Sequence, residues 1–247
     1  MDAEEGRARL RALGFGDSAV EELWAHFDGA EQRGQTGHGH ARIPWLEQLE
    51  GFDAHAEPRL VEEREGFQRW HGNGAVGYLT LGRAVARQLA EPPERARLVV
   101  CDRTFPTGML GHYVRRLAEG GLVAVLTTTS PRRLGHPAGG PKLASTSPLA
   151  IGIPSSGGDP VVTDVSMGAV TWGDVIAGNA TEEQLVPFGG ELAHKAFAIA
   201  VGLELLVDSL VSEPGHGAVL LVAQPAADPV PELRRLAGEV RLPGDPK

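Results

Sequence analysis

The segment His38-Gly39-His40-Ala41-Arg42 sets two imidazoles and a guanidinium within five residues on a glycine-rich loop. An arginine fork holds a carboxylate through two hydrogen bonds, and an imidazole gives or takes a proton near neutral pH. A solvated polar loop has the same composition, so the segment carries both readings. No third histidine or carboxylate follows at ligand spacing, so no metal site is expected. A second segment runs from Gly135 through Gly139-Gly140, Lys142 and Ser145-Thr146-Ser147-Pro148. Amides freed by glycine, with hydroxyls and a lysine, suit an anionic ligand, although the spacing is neither that of a P-loop nor that of the dinucleotide fingerprint. The other reading is an ordinary surface loop. A third segment, Gly189-Gly190-Glu-Leu-Ala-His194-Lys195, leads into an apolar helix. Glycines before a helix start suit an anion, and a lysine at the buried end of that helix calls for a phosphate, a carboxylate or a snorkelling position.

The rest of the chain must position these groups. Its 247 residues, 42% of them hydrophobic, can bury a substantial core in one large domain or a domain with a small appendage. Acidic residues outnumber basic ones by 32 to 23, a net charge of -9, which leaves no broad basic field for a nucleic acid. The apolar runs at 98–101 and 203–207 are far too short to cross a bilayer, and the opening Met1-Asp-Ala-Glu-Glu lacks the order of a secretory signal. A cytoplasmic protein is expected, with neither a membrane nor a nucleic-acid partner. Cys101, the single cysteine, excludes an intrachain disulfide and reads as an inert residue of a buried strand. Lysine occurs only at 142, 195 and 247, which leaves 20 arginines among the 23 basic residues. A lysine inside the chain therefore asks for a specific explanation.

Apolar positions at helical spacing (Leu10, Leu13, Val20, Leu23, Trp24, Phe27) predict two helices over 7–32, broken at Gly14-Phe15-Gly16, with Asp17 or Ser18 capping the second. Pro44 suits the first turn of a third helix through Leu49. Extended segments are predicted around Gly66, a helix over 76–89, a strand over 97–101, a helix over 107–119 and a strand over 121–126. That run implies a crossover with part of the sheet parallel. Residues 127–160, rich in Gly, Pro, Ser and Thr, enclose an apolar stretch at 149–153 and are expected to carry function. Strands at 161–163 and 218–223, a long helix over 192–211 and a short one over 231–236 complete the pattern.

Seven pieces in chain order resemble the malate/L-lactate dehydrogenase-like family, the type 2 or sulfolactate dehydrogenase group, over nearly the whole chain. They are His38-Gly39-x-x-Arg42-Ile43-Pro44, Gly72-Asn73-Gly74-x-x-Gly77, the strand and loop at 99–108, and Pro137-x-Gly139-Gly140 with Ser145–Pro148. Val162-Thr163-Asp164, Gly189-Gly190-x-x-x-His194-Lys195 and Arg241-Leu242-Pro243-Gly244 follow. The resemblance implies an α/β fold with a non-Rossmann mixed sheet flanked by helices. It divides the chain into a helical N-terminal segment, 1–55, and a core with the cofactor and substrate cleft, 56–247. It also implies a homodimer, NADH or NADPH as cofactor, and reduction of a C=O or C=N bond beside a carboxylate. By position, Arg42 clamps the carboxylate, His38 lines the pocket and Asp164 orients pocket groups or a water. Gly139, Gly140, Ser145, Thr146, Ser147, Pro148, His194 and Lys195 lie on the cofactor side.

The departures are also specific. Pro106 stands where the family carries its proton-donating histidine, Gly37 replaces a serine, Ser147 an asparagine, and Asp174 a lysine. Met167 and Gly168 take hydroxyl positions, and a deletion falls between Asn179 and Leu185. These changes thin out the polar cofactor contacts. An iminium, already protonated on nitrogen, tolerates Pro106, whereas a carbonyl requires His38, His40 or His112 as donor. The expected activity is NAD(P)H-dependent reduction of a small carboxylate-bearing imine or 2-oxo acid in specialised metabolism. The alternative is the same scaffold without nicotinamide, acting as a non-redox isomerase, cyclase or dehydratase, or as a binding protein.

Overall fold

The computed structural model describes residues 1–245; the last two positions of the expected core segment, including Lys247, lie outside them. The N-terminal periodicity folds as expected into α1 (Ala3–Ala12) and α2 (Asp17–Gln32). The second cap differs from expectation: Gly16 takes the cap position and Asp17 is already helical, with no side-chain cap bond. A single 3-10 turn at Thr36–His38 then leads to α3 (Arg42–Leu46), which begins two residues before Pro44. Leu10, Val20, Leu23, Phe27, Ile43 and Leu46 are fully buried in one apolar cluster with Val76, Tyr78 and Leu79.

The next segments form β1 (Arg59–Arg64), β2 (Phe67–His71), α4 (Gly77–Ala90), β3 (Ala96–Asp102), α5 (Leu110–Glu119) and β4 (Val123–Thr128). The 127–160 stretch is not structureless. It contains a small hairpin of β5 (Leu134–Gly135) and β6 (Lys142–Ala144), then β7 (Leu149–Ile153). The chain continues through β8 (Val161–Val165), α6 (Trp172–Ile176), α7 (Ala193–Leu210), β9 (Ala218–Ala223) and α8 (Val230–Ala237).

The main sheet has seven strands in the order β1-β2-β3-β9-β4-β7-β8. Its parallel ladder lies between β2 and β3, joined through α4. The sequence placed the crossover at β3-α5-β4; those two strands do share a direction, but β9 lies between them and pairs antiparallel with each. Alternation along β9 buries Ala218, Leu220 and Val222 against the side chains of α4 and α5, with Val99, Cys101, Ala124 and Leu126 from the neighbouring strands. The thiol of Cys101 is fully buried, and burial pushes its pKa up, which agrees with an inert core residue. The fold is a mixed sheet flanked by helices, as expected. No helix among the described residues is long and apolar enough to cross a membrane.

Candidate active site

The 3-10 turn at Thr36–His38 and the start of α6 approach so closely that neither can carry a β-carbon. A Cβ on Gly37 would sit 2.7 Å from the backbone nitrogen of Asp174, and one on Gly173 would sit 2.7 Å from Nη2 of Arg42. Glycine at 37, a departure in the sequence, is thus what lets α6 close over the loop. Asp174, another departure, is a helix cap. Its carboxylate accepts the Thr171 N–H and hydroxyl at 2.8 Å each, while Thr171 Oγ1 accepts the Asp174 N–H at 3.1 Å, a reciprocal capping box.

Arg42, only 5% exposed, opens α3 and turns its side chain back onto the loop. Nε donates to the Gly37 carbonyl at 2.9 Å, Nη2 approaches Nδ1 of His38 at 3.2 Å, and the guanidinium lies 5.0 Å from the Trp45 ring centroid. No carboxylate among the described residues pairs with it. Because Nδ1 of His38 accepts from an arginine, the imidazole proton resides on Nε2. Burial first, and the Arg42 charge second, hold the His38 pKa at about 3. His38 is therefore a neutral hydrogen-bond donor throughout the physiological range.

Asp164 arrives from the sheet. It shares a face of β8 with the buried Val162, the face covered by α5, and its Oδ2 accepts the Gly111 N–H at 2.6 Å near the start of that helix. Its side chain opens onto solvent in the cleft, yet protein surrounds it closely enough to push its pKa up to about 6; the amides of Gly111 and Leu110 oppose that rise. A raised carboxyl pKa favours the folded state while the group is protonated. That contribution is complete below the ordinary aspartate range and is lost as pH rises through about 6. Asp164→Asn should therefore melt with less variation between pH 4 and 7 than the parent protein. Where the parent's activity shows an inflection near pH 6, Asp164→Asn should abolish it, and an unmoved inflection would assign that titration elsewhere.

His38, Arg42 and Asp164 converge on one cavity of about 150 Å³, together with Thr146, Pro148, Pro106, Arg133 and Trp172. The sequence-derived catalytic trio is thus one site, and Pro106 is part of its wall. The other histidines considered as donors are elsewhere. His40 stacks on Trp24 and meets Asp28 at 3.2 Å, and His112 is packed against His26 with its pKa lowered to about 4, chiefly by burial.

The expected cofactor residues separate into three groups. Thr146 and Pro148 line the cavity. Ser145 and Ser147 lie behind it, fully buried, with their hydroxyls 2.7 and 3.5 Å from the buried Glu204 carboxylate on α7, which also accepts the Ser145 N–H at 2.9 Å. Gly139 and Gly140 sit exposed at the hairpin tip with φ of 101° and 109°, and His194 and Lys195 are exposed on the first turn of α7. The lysine is thus solvated rather than buried, and needs no partner. None of these four lines the cavity.

Sequence reasoning missed a second cleft of about 660 Å³. It shares Gln35, Met109 and Asp164 with the first and is bounded by Arg33, Arg115, Arg241 and Gly244. Arg115 donates to the Gly244 carbonyl at 2.7 Å, so the Arg241–Gly244 motif is drawn to this wall. None of the three arginines has a carboxylate within ion-pair distance among the described residues, although Glu119 and Asp159 stand nearby.

Residues 4–185 match the family model described as malate/L-lactate dehydrogenase. The (2R)-3-sulfolactate dehydrogenase (NADP(+)) of Chromohalobacter salexigens is 28% identical over 181 residues, 72% of this chain and 54% of that protein, so the chain spans about half its length. The Delta(1)-pyrroline-2-carboxylate/Delta(1)-piperideine-2-carboxylate reductase of Pseudomonas syringae pv. tomato is 28% identical, covering 87% of this chain and 78% of its own. A crystal structure of delta1-piperideine-2-carboxylate reductase from the same organism superposes with a TM-score of 0.83 at 25% identity, over 97% of this chain and 88% of that one. The sulfolactate dehydrogenase of Methanocaldococcus jannaschii shares the fold, with a TM-score of 0.75 at 14% identity, over 97% and 83% of the two chains. With three quarters of its length inside the family match, the chain belongs to the malate/L-lactate dehydrogenase family.

Proposed function

We propose that the chain is an NAD(P)H-dependent reductase of a small carboxylate-bearing imine or 2-oxo acid. The observation that carries this reading is Arg42: a buried guanidinium with no carboxylate of its own among the described residues, facing a cavity that shares a wall with a cleft of about 660 Å³. Arg42 receives the substrate carboxylate, and His38 donates from Nε2 to a second substrate atom. Both are held by the loop before substrate arrives, so little ordering remains to be done on binding.

The second cleft fits a dinucleotide by its donors. Arg33 and Arg115 each give one N–H to a backbone carbonyl, of Gly29 and Gly244, and with Arg241 keep further N–H groups for phosphate oxygens; with Glu119, Asp159, Asp164 and Asp245 on the same walls the attraction rests on directed hydrogen bonds rather than on a long-range field. When bound there, the reduced nicotinamide supplies the hydride. Gln35, Met109 and Asp164, the shared wall, then border the reacting carbon.

Imine reduction is favoured by the wall itself, since Pro106 carries no proton and His38 stays neutral. An iminium brings its own N–H. A 2-oxo acid would take its proton from Asp164, the one titratable carboxyl lining the cavity. The names of the sulfolactate and piperideine-2-carboxylate relatives support a carboxylate-bearing substrate. A homodimer belongs to the same proposal: α7 leaves Ile199, Leu205 and Leu206 exposed, apolar area that a second copy would cover.

Titration with NADH and NADPH tests the reading. At a hundred times its dissociation constant either cofactor stabilises the fold by about 2.7 kcal/mol, which is a rise of roughly 5–10 °C in Tm for a protein of this size. The expected result is such a rise with at least one of them. No rise with either at millimolar concentration would overturn the proposal and leave a non-redox activity on this scaffold.

A further inference from the structure

His26 stands in none of the sequence motifs and lines neither the substrate cavity nor the larger cleft, yet it holds the wall between them. Residues 105–109 all face the cavity, and Met109 borders the cleft as well. This segment is pinned from behind along its length. The Gly77 N–H at the start of α4 donates to the Phe105 carbonyl at 3.2 Å, the buried Tyr113 hydroxyl donates to the Thr107 carbonyl at 3.0 Å, and the Met109 N–H donates to Nε2 of His26 at 3.0 Å. The last pin comes from α2. The same ring packs on Gly108, where φ is 69° and a Cβ would collide with Nε2.

His26 is buried, and burial first, with His112 second, holds its pKa well below the ordinary histidine range. The ring is therefore neutral, and because Nε2 accepts, its proton resides on Nδ1. That Nδ1–H has no acceptor among the described residues. A phenylalanine would fill the same space without a stranded donor, but it could not receive the Met109 N–H. Met109 is the cap residue of α5, and within the next turn the Gly111 N–H donates to Asp164 at 2.6 Å. The start of α5 is thus held between α2 and β8, while the loop that follows α2 carries His38 and Arg42. One imidazole ties the guanidinium side of the cavity to the carboxyl side. We propose that His26 is a positioning residue: through the Met109 amide it fixes the first turn of α5, and so sets Met109 and Asp164 opposite Arg42. The kinetic consequence rests on the proposed reductase reading; the placement of Met109 and Asp164 does not.

His26→Gln and His26→Asn separate reach from polarity. The glutamine amide can place an oxygen where Nε2 stands, whereas the asparagine amide ends near the position of Nδ1 and falls short of Met109. The full chain is compared by NMR amide exchange at Met109 and Gly111, by the carboxyl titration of Asp164, and by saturation kinetics with NADPH and a cyclic imine bearing a 2-carboxylate. In His26→Asn, exchange at both amides should quicken by at least about tenfold while amides in the last turn of α5 keep their rates. Asp164, deprived of a steady Gly111 N–H, should titrate above its parental value. The turnover number should fall by about ten- to a hundredfold with KM within about threefold, because Arg42 and His38 are untouched. His26→Gln should return each readout most of the way to the parent. If the asparagine variant does not fold, His26→Leu, which fills the space but accepts nothing, takes its place. Equal behaviour of the glutamine and asparagine variants, or a folded asparagine variant with parental exchange and Asp164 titration, would overturn the proposal. Absence of turnover in the parent would count against the reductase reading alone, since exchange and titration decide this one.

Discussion

Replacing Arg42 with alanine lowers kcat/KM by between about thirtyfold and several thousandfold, the range set by the roughly 2–5 kcal/mol lost when one partner of a buried charge pair is removed. The loss should fall mainly on KM, because the role proposed for the guanidinium is to grip a group that does not change during reduction. Arg42→Lys should recover little, since a point charge cannot reproduce a fork that spans the Gly37 carbonyl, His38 Nδ1 and a substrate carboxylate together. Freed from Arg42, the His38 ring can exchange its tautomer and rotate, so the alanine variant should also lose part of its kcat. Comparison of saturation curves for parent and variant, each checked for an intact melting transition, gives the answer. An unchanged KM would remove the carboxylate clamp from the site.

The second large effect is on stability. Glu204 is buried at 4% exposure and accepts the N–H and hydroxyl of Ser145 while also facing Ser147 and Arg132. Glu204→Leu leaves the buried Ser145 N–H without an acceptor, at about 1–3 kcal/mol, and leaves the Ser145 hydroxyl only Ser147 Oγ, 3.1 Å away. Tm should fall by roughly 2–12 °C, at about 2–4 °C per kcal/mol for a chain of this length. Glu204→Gln keeps one acceptor oxygen and should lose less than half as much. Thermal melts of the two variants decide it, and a leucine variant as stable as the parent would show that Ser145 and Ser147 find other partners. The same substitution should loosen Thr146 and Pro148, the two residues of that loop that reach the cavity.

Most elements are legible in the sequence because they carry a period: the spacing of Leu10, Val20, Leu23 and Phe27 is visible without coordinates, and so is the alternation that makes β9. The sheet order is less legible. The position of β9 between β3 and β4 depends on which edges meet in space, and no local pattern encodes that. That Arg42, His38 and Asp164 belong together at one cavity is legible because each stands in a short motif of fixed order. Ser145 and Ser147 were given to the cofactor because hydroxyls beside glycines look available; that a carboxylate 59 residues away on α7 occupies Ser145 is a tertiary fact. Lys195 was expected at a buried helix end, but α7 buries only Ala193, Ala196, Ala200, Glu204 and Val207, a narrow stripe that leaves the lysine outside. Arg133 was missed because a guanidinium stacked on Trp172, 39 residues later, has no signature in sequence. The Thr171-x-x-Asp174 capping box was readable, and it marked the helix that carries that tryptophan.

The central place of β9 also shapes how the polypeptide acquires its structure during synthesis. Until residues 218–223 have emerged, the edges of β3 and β4 that β9 pairs have no partner strand, and β1-β2-β3 and β4-β7-β8 have nothing to join them into one sheet. Those bare margins are apolar and adhesive, so nascent chains stalled before residue 218 are the species most prone to self-association on the ribosome.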